Sequence, residues 1–307
     1  MQTTLRSSVT FQGIGLHSGA PARLVVHPAA DNHGIWFKRS DILVGDNLIP
    51  ARWDVVDRSP LCTRIVNGAG ASVSTIEHLM AALAGCGIHN ALIEIDGPEV
   101  PILDGSAVPF VRSFLQRGLR TQDARVRALE ILMPVEVETD AGFARLSPGL
   151  GLTMAFHISF PDAAIGTQQK TLDLSNGAFV RELCDSRTFC RQADVDTMQA
   201  HGLALGGKPG ENAVVFDGDR IASPGGLRHD DEPVRHKMLD ALGDLALAGL
   251  PILGHYDGHR AGHAMTNTLL RKLFATPGAF RITECDAAQA ARLPGAGVHR
   301  GEIPQVA

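Results

Sequence analysis

The chain has only five cysteines in 307 residues, Cys62, Cys86, Cys184, Cys190 and Cys285, an odd number with no C-x-x-C spacing. Neither a disulfide framework nor a thiolate zinc site is suggested, and a reducing compartment fits best. Long apolar runs are also missing. Met1 to Thr10 contains no stretch of signal length, and the most apolar long window, 238–254, is interrupted by Asp240 and Asp244 and is too short to span a bilayer. A cytoplasmic protein without a transmembrane segment is therefore expected, meeting any lipid-linked substrate from solution or by peripheral contact. Nor is positive charge in excess. The 28 Lys and Arg against 33 Asp and Glu leave −5 at pH 7, which speaks against a nucleic-acid surface and requires that a polyanionic ligand be met by local cations. The remainder, 44% hydrophobic and 20% charged, reads as a globular chain long enough for two domains.

The chemistry is concentrated in Val234 to Leu245, an apolar helical run carrying His236, Asp240 and Asp244 at four-residue intervals. At about 100° per residue each four-residue step drifts about 40°, so the three share one stripe and neighbours lie a turn apart. Met238, Leu239, Leu242 and Leu245 are the positions a core would bury, and carboxylates buried among them need a compensating charge. A divalent cation would supply it, although the same spacing also occurs on solvated helix faces. One helix provides too few ligands in either case. A catalytic zinc wants three protein ligands and an open position, and Fe²⁺ accepts the same nitrogen and oxygen donors.

The best further donor lies in Ala71 to Gly85, which reads as a helix opening at Ser74 or Thr75 and ending at Gly85. Glu77 and His78 fall in its first turn and point about 100° apart, so one can bind a metal while the other serves as a general base. Ser74-x-x-Glu77 equally fits a capping box, in which Glu77 would merely bond back to the Ser74 amide. Local sequence leaves both readings open.

Along the chain, alternation in Ala22 to His27 and Ala91 to Ile95 predicts strands, and 75–84 and 107–117 predict helices. The second half repeats that order, with strands around 129–139, 143–147 and 151–159 and helices at 177–183 and 234–248. The polar stretch Arg120 to Arg125 reads as the linker between the halves. Asp96 to Pro101 is a turn-rich insertion, and 190–214 holds a short helical pattern followed by Leu203 to Gly207.

Six separated strings, Ser74 to Leu79 (STIEHL), Gly87 to Asn90, Pro98 to Ser106, Ser186 to Phe189, Val234 to Leu245 and Gly262 to Ala264, resemble in order and spacing the LpxC family of UDP-3-O-acyl-N-acetylglucosamine deacetylases. The resemblance runs from near the N-terminus to about residue 275. It implies an α+β fold of two similar two-layer α/β sandwich domains, 1–122 and 127–307, with the active site between them and the metal-binding helix in the second. It implies that His78, His236 and Asp240 hold Zn²⁺, that Glu77 takes a proton from the attacking water, and that His263, charged and partnered by Asp244, stabilises the oxyanion and protonates the leaving amine. Thr188 would donate to the oxyanion, Lys237 would hold the substrate's phosphates, and Phe160 would lie near the nucleotide. Arg260 stands where a lysine is expected near the diphosphate, a change that keeps charge and alters geometry. Val195, Met198, Leu203 and Ala204 are candidate liners of an acyl passage.

An acetamide is a poor electrophile. Its hydrolysis at neutral pH needs a hydroxide equivalent, charge stabilisation and a proton for the departing nitrogen, and zinc with a base and a cationic histidine meets all three needs. The implied reaction removes the N-acetyl group of UDP-3-O-(3-hydroxyacyl)-N-acetylglucosamine, the committed step of lipid A biosynthesis. Departures from the family pattern fall elsewhere: Pro161-Asp162 replaces a histidine-proline pair, no lysine stands near Gly142, and Gly207 to Asn212 is longer by a residue. They keep open a zinc amidohydrolase acting on another N-acetylated nucleotide-sugar. A non-catalytic nucleotide-lipid binder is disfavoured, because it has no use for a base beside an open metal site. No obligate partner is indicated, and a monomer is expected.

Overall fold

A computed structural model of the chain describes residues 1–57, 59 and 61–305, arranged as two sheet-and-helix halves that share one continuous apolar core. In the first half five strands lie in the order Val9–Ile14, Pro21–Pro28, Ala91–Ile95, Ile35–Arg39 and Leu48–Pro50. Ala91–Ile95 and Ile35–Arg39 are the parallel pair in an otherwise antiparallel sheet. The period-two alternation visible in the sequence is realised there, with Ala91, Ile93 and Ile95 buried and Leu92 and Glu94 half-buried. Helices α1 (Glu77–Gly85) and α2 (Val108–Arg117) pack on each other, and Phe110 and Phe114 of α2 meet Phe11 of the sheet edge-on.

The second half contains short helices α3 (Ala178–Glu182) and α4 (Gln192–Ala200), the long α5 (Glu232–Ala246) and α6 (His263–Ala275), and a terminal turn, α7 (Ala287–Ala290). Its seven-stranded sheet centres on Ile252–His259, which pairs antiparallel with Gly142–Pro148 and parallel with Leu152–Ser159. Helix α5 packs over Leu152–Ser159 and Thr167–Asp173, and α6 over Val135–Thr139 and Gly142–Pro148. The mixed sheets and covering helices are the expected α+β class.

The halves meet where α1 crosses α5. A Cβ added to Gly243 would stand 2.1 Å from the Glu77 carbonyl oxygen, so the crossing is as close as two backbones allow. At its other end α1 abuts α3, where a Cβ on Gly85 would meet the Phe179 ring at 1.9 Å. Sandwiched on all sides, α1 buries eight of its nine residues, Ala84 excepted.

Several expectations are corrected. The proposed linker is partly a strand: Leu119–Thr121 pairs with Thr3–Leu5, with Arg120 and Thr121 exposed while Thr4 and Leu5 opposite are buried. The stretch 129–139 is two strands, Arg127–Ile131 and Val135–Thr139, separated by Leu132 to Pro134, as proline cannot donate to a ladder. Two three-stranded sheets, Val56–Asp57 with Arg64–Val66 and Ser72–Val73, and Phe189–Arg191 with Val214–Asp217 and Arg220–Ile221, have strands too short to show a period.

Candidate active site

Helix α1 opens two residues later than predicted because Thr75 is held outside helical space at φ +57°, rare for a β-branched residue, by its hydroxyl bond to the buried Glu99 carboxylate at 3.0 Å. The same carboxylate accepts the His17 and Ser18 amides, each at 2.8 Å, tying that loop to the mouth of the helix. The capping box does not form. Ser74 donates its amide to Pro98 at 2.9 Å, and Glu77 accepts instead from the Thr63 amide through Oε2 at 3.0 Å. Glu77 Oε1 is left facing His263 Nε2 at 3.8 Å.

Across the crossing, α5 presents His236 and Asp240. Asp240 Oδ1 lies 3.5 Å from His78 Nε2 and 3.3 Å from His236 Nε2, is buried, and accepts no hydrogen bond. A tetrahedral ion with bonds of about 2.0–2.1 Å has edges of about 3.3 Å, so the spacing fits zinc. Among the described residues His78, His236 and Asp240 are the group whose donor atoms converge in this way, all within 4.8 Å. The His236 Nδ1–H donates to the Ser186 carbonyl at 3.0 Å, which leaves Nε2 as the lone-pair nitrogen. Burial pushes His236 down to about 4, keeping it neutral and ligand-competent at pH 7. Burial alone would raise Asp240, but His236 and Lys237 outweigh it and hold its carboxyl well below the usual range. Its second oxygen is taken by Lys237 Nζ at 2.7 Å.

The third member of the α5 stripe turns elsewhere. Asp244 Oδ2 accepts from His263 Nδ1 at 2.8 Å, and Oδ1 accepts from the Thr63 hydroxyl. His263 is the first residue of α6, where the helix dipole disfavours a cation. Burial would lower it further, but Asp244 and Glu77 outweigh both and raise it to about 9. Glu77 moves the same way, raised by burial that His263 and His78 only partly offset. The pair therefore sets a carboxylate of heightened basicity beside a histidine that is cationic at neutral pH.

These groups open into a cavity of about 490 Å³. Glu77, His78, His236, Asp240, His263, Thr188, Lys237 and Phe160 line it, as do Val195, Met198 and Ala204; Leu203 and Arg260 do not. Leu203 is half-buried outside the wall, and Arg260 is exposed on the turn before α6, at φ +52°. Asp162, at the departure after Phe160, pairs with Arg191. Thr63 lies outside every motif string, and Glu99 and Ser186, though inside two of them, have no role legible in the sequence, since each acts through a partner remote in the chain or through its backbone.

A sequence model of the family described as UDP-3-O-acyl N-acetylglycosamine deacetylase matches residues 2–275. The chain belongs to this deacetylase family. It is 49% identical over 281 residues to the UDP-3-O-acyl-N-acetylglucosamine deacetylase of Phenylobacterium zucineum (strain HLK1), covering 92% of this chain and 96% of that one. Against the protein of the same name from Shewanella frigidimarina (strain NCIMB 400) it is 44% identical over 304 residues, covering 97% and 99%. The one from Anaeromyxobacter sp. (strain Fw109-5) is 46% identical over 295 residues, with 95% of each chain covered. As a member of the deacetylase family the chain is a zinc enzyme, and His78, His236 and Asp240 are the residues that fit the ion. No helix among the described residues is long and apolar enough to cross a membrane.

Proposed function

We propose that this protein hydrolyses the N-acetyl group of a UDP-3-O-acyl-N-acetylglucosamine, releasing acetate and the free amine in lipid A biosynthesis. The observation that carries the reading is one cavity in which Glu77, the His78–His236–Asp240 cluster and the Asp244-paired His263 converge. Zinc held by the cluster supplies Lewis-acid polarisation and a nucleophilic water at neutral pH. Glu77 is the general base, its Oε2 anchored by the Thr63 amide and its Oε1 free toward the cleft. His263 donates a proton to the leaving nitrogen and, with the Thr188 hydroxyl, faces the developing oxyanion. Asp244 holds the His263 ring in place. Phe160 and Lys237 are assigned to the nucleotide side, and Val195, Met198 and Ala204 to the acyl chain. Leu203 and Arg260 are assigned no contact.

We further take the protein to act as a cytoplasmic monomer of two domains, 1–122 and 127–307. Five free cysteines suit a reducing compartment, and every group of the site comes from one chain. The test is acetate release from UDP-3-O-(3-hydroxyacyl)-N-acetylglucosamine by protein of known zinc content, with and without chelator. Chelator-sensitive release restored by about one equivalent of zinc is the expected result; none from folded, zinc-loaded protein across several acyl lengths would discard the substrate.

The alternative left by the departures from the family pattern is another N-acetylated nucleotide-sugar as substrate. Each Lys or Arg among the described cavity-lining residues is already paired, Lys237 with Asp240, Arg191 with Asp162 and Lys208 with Glu211. Each ammonium or guanidinium keeps N–H donors beyond those its carboxylate takes, so a diphosphate can be met without displacing the pairs, and the pairs do not separate one nucleotide-sugar from another. Preferred turnover of N-acetylated nucleotide-sugars without the 3-O-acyl chain would establish this alternative.

A further inference from the structure

Thr63 lies outside every motif of the sequence, yet all of its polar groups are spent on the site. It is 3% exposed, in the loop just before Arg64–Val66. Its amide donates to Glu77 Oε2 at 3.0 Å, its hydroxyl to Asp244 Oδ1, and its carbonyl accepts the Ile76 amide at 3.4 Å, next to the start of α1. Carboxylates accept only, so Thr63 must be the donor in both side-chain contacts. It thereby spans the crossing of the halves, gripping Glu77 on α1 and Asp244 on α5. With Oδ1 occupied, Asp244 has Oδ2 directed at His263 Nδ1, and the His263 ring is oriented with Nε2 toward Glu77 Oε1.

We propose that Thr63 is a positioning residue for the reaction, its hydroxyl acting through Asp244 to orient His263 relative to Glu77. The inference rests on the deacetylase reading for its kinetic consequence, but the hydrogen-bond relay stands on geometry alone. The competing role is a buried threonine that only fills space and satisfies polar atoms, and the hydroxyl and methyl groups separate the two. Thr63→Val keeps the shape and the amide and removes the hydroxyl; Thr63→Ser keeps the hydroxyl and removes the methyl.

The experiment measures kcat, KM, zinc per chain and melting temperature for both variants, together with the imidazole ¹⁵N shifts of His263. By analogy with the outer partners of metal ligands, whose loss typically costs about 10- to 100-fold, an effect of that order is the scale to expect. Thr63→Val is expected to lower kcat by about that factor with KM within about twofold and zinc content unchanged, and to move the His263 ring signals. Thr63→Ser should keep kcat within about threefold of wild type and leave those signals in place, whatever its melting temperature. Wild-type kcat and unmoved His263 signals in Thr63→Val would overturn the proposal, as would Thr63→Ser being as slow as Thr63→Val. If Thr63→Val does not fold, Thr63→Ala is read by the same criteria. A wild type that releases no acetate refutes the functional reading instead, and the His263 signals then decide on Thr63 by themselves.

Discussion

Gly243→Ala is the sharpest probe of how the two halves build the site. The new Cβ would stand 2.1 Å from the Glu77 carbonyl oxygen, 2.8 Å from its carbonyl carbon and 3.1 Å from its Cα. All three are backbone atoms, so no side chain can swing aside. Restoring an ordinary contact of about 3.4 Å requires α1 and α5 to part by more than about 1 Å, and a misplacement of that size can cost about 100-fold in rate. The displacement acts directly on the chemistry, because α1 carries Glu77 and His78 while α5 carries His236 and Asp240. The 3.5 Å approach of His78 Nε2 to Asp240 Oδ1 would lengthen, whereas the 3.3 Å approach of His236, made within α5, would not. Alanine gains about 1 kcal/mol of helix propensity, but the clash is with backbone, so the overpacking cost lies at or above the usual range of about 1–3 kcal/mol and a net loss of stability is expected, to be read by a thermal melt of the variant. The assay is kcat/KM for acetate release alongside zinc stoichiometry by dialysis against a graded chelator. A loss of about 100-fold in activity with weakened zinc retention is expected. Wild-type rate and zinc retention in a folded Gly243→Ala protein would refute the claim that the crossing sets the ligand geometry.

Glu77→Gln should keep zinc and the Thr63 amide contact but lose about 10²- to 10⁴-fold in kcat, since an amide cannot take a proton; retention of wild-type kcat would restore the view of Glu77 as structural. The pH profile of kcat/KM should be bell-shaped, with the acid limb above the ordinary carboxylate range because Glu77 must lose its proton, and the alkaline limb near 9 because His263 must keep one. Asp244→Asn removes the largest raising influence on His263 and should move the alkaline limb to lower pH; an unmoved limb would assign it to another group. Arg187→Met should lower stability by about 3 kcal/mol, because Glu232, 1% exposed, accepts from its side chain at 2.9 and 3.1 Å and would be left buried without a cation. Thermal melts would check this, and an unchanged melting temperature would mean that the two amides also bonded to Glu232 suffice.

What could be read in advance follows the range over which each cause acts. The stripe of His236, Asp240 and Asp244 is a consequence of helical period, so it was visible, as was the apolar alternation of Ala91–Ile95. Whether Glu77 caps α1 was not, because that turns on the Pro98 carbonyl and the Thr63 amide, neither of which belongs to the helix. The pairing of Lys237 with Asp240 was equally hidden: three residues apart on α5, they fit a surface ion pair as well as a cavity wall. Asp240 and Asp244 show the limit most plainly. Both occupy one face of one helix a turn apart, and helical period assigns them the same environment. In the fold Asp240 meets His78 of the first half at the proposed zinc site, while Asp244 meets Thr63 and His263, the ring it is proposed to orient. The difference arises from where α1 crosses α5, which Gly243 sets by admitting the Glu77 backbone. The role of each carboxylate is thus a property of the crossing rather than of the helix that carries it, which is why substitution at a glycine with no side chain in the site should disturb both.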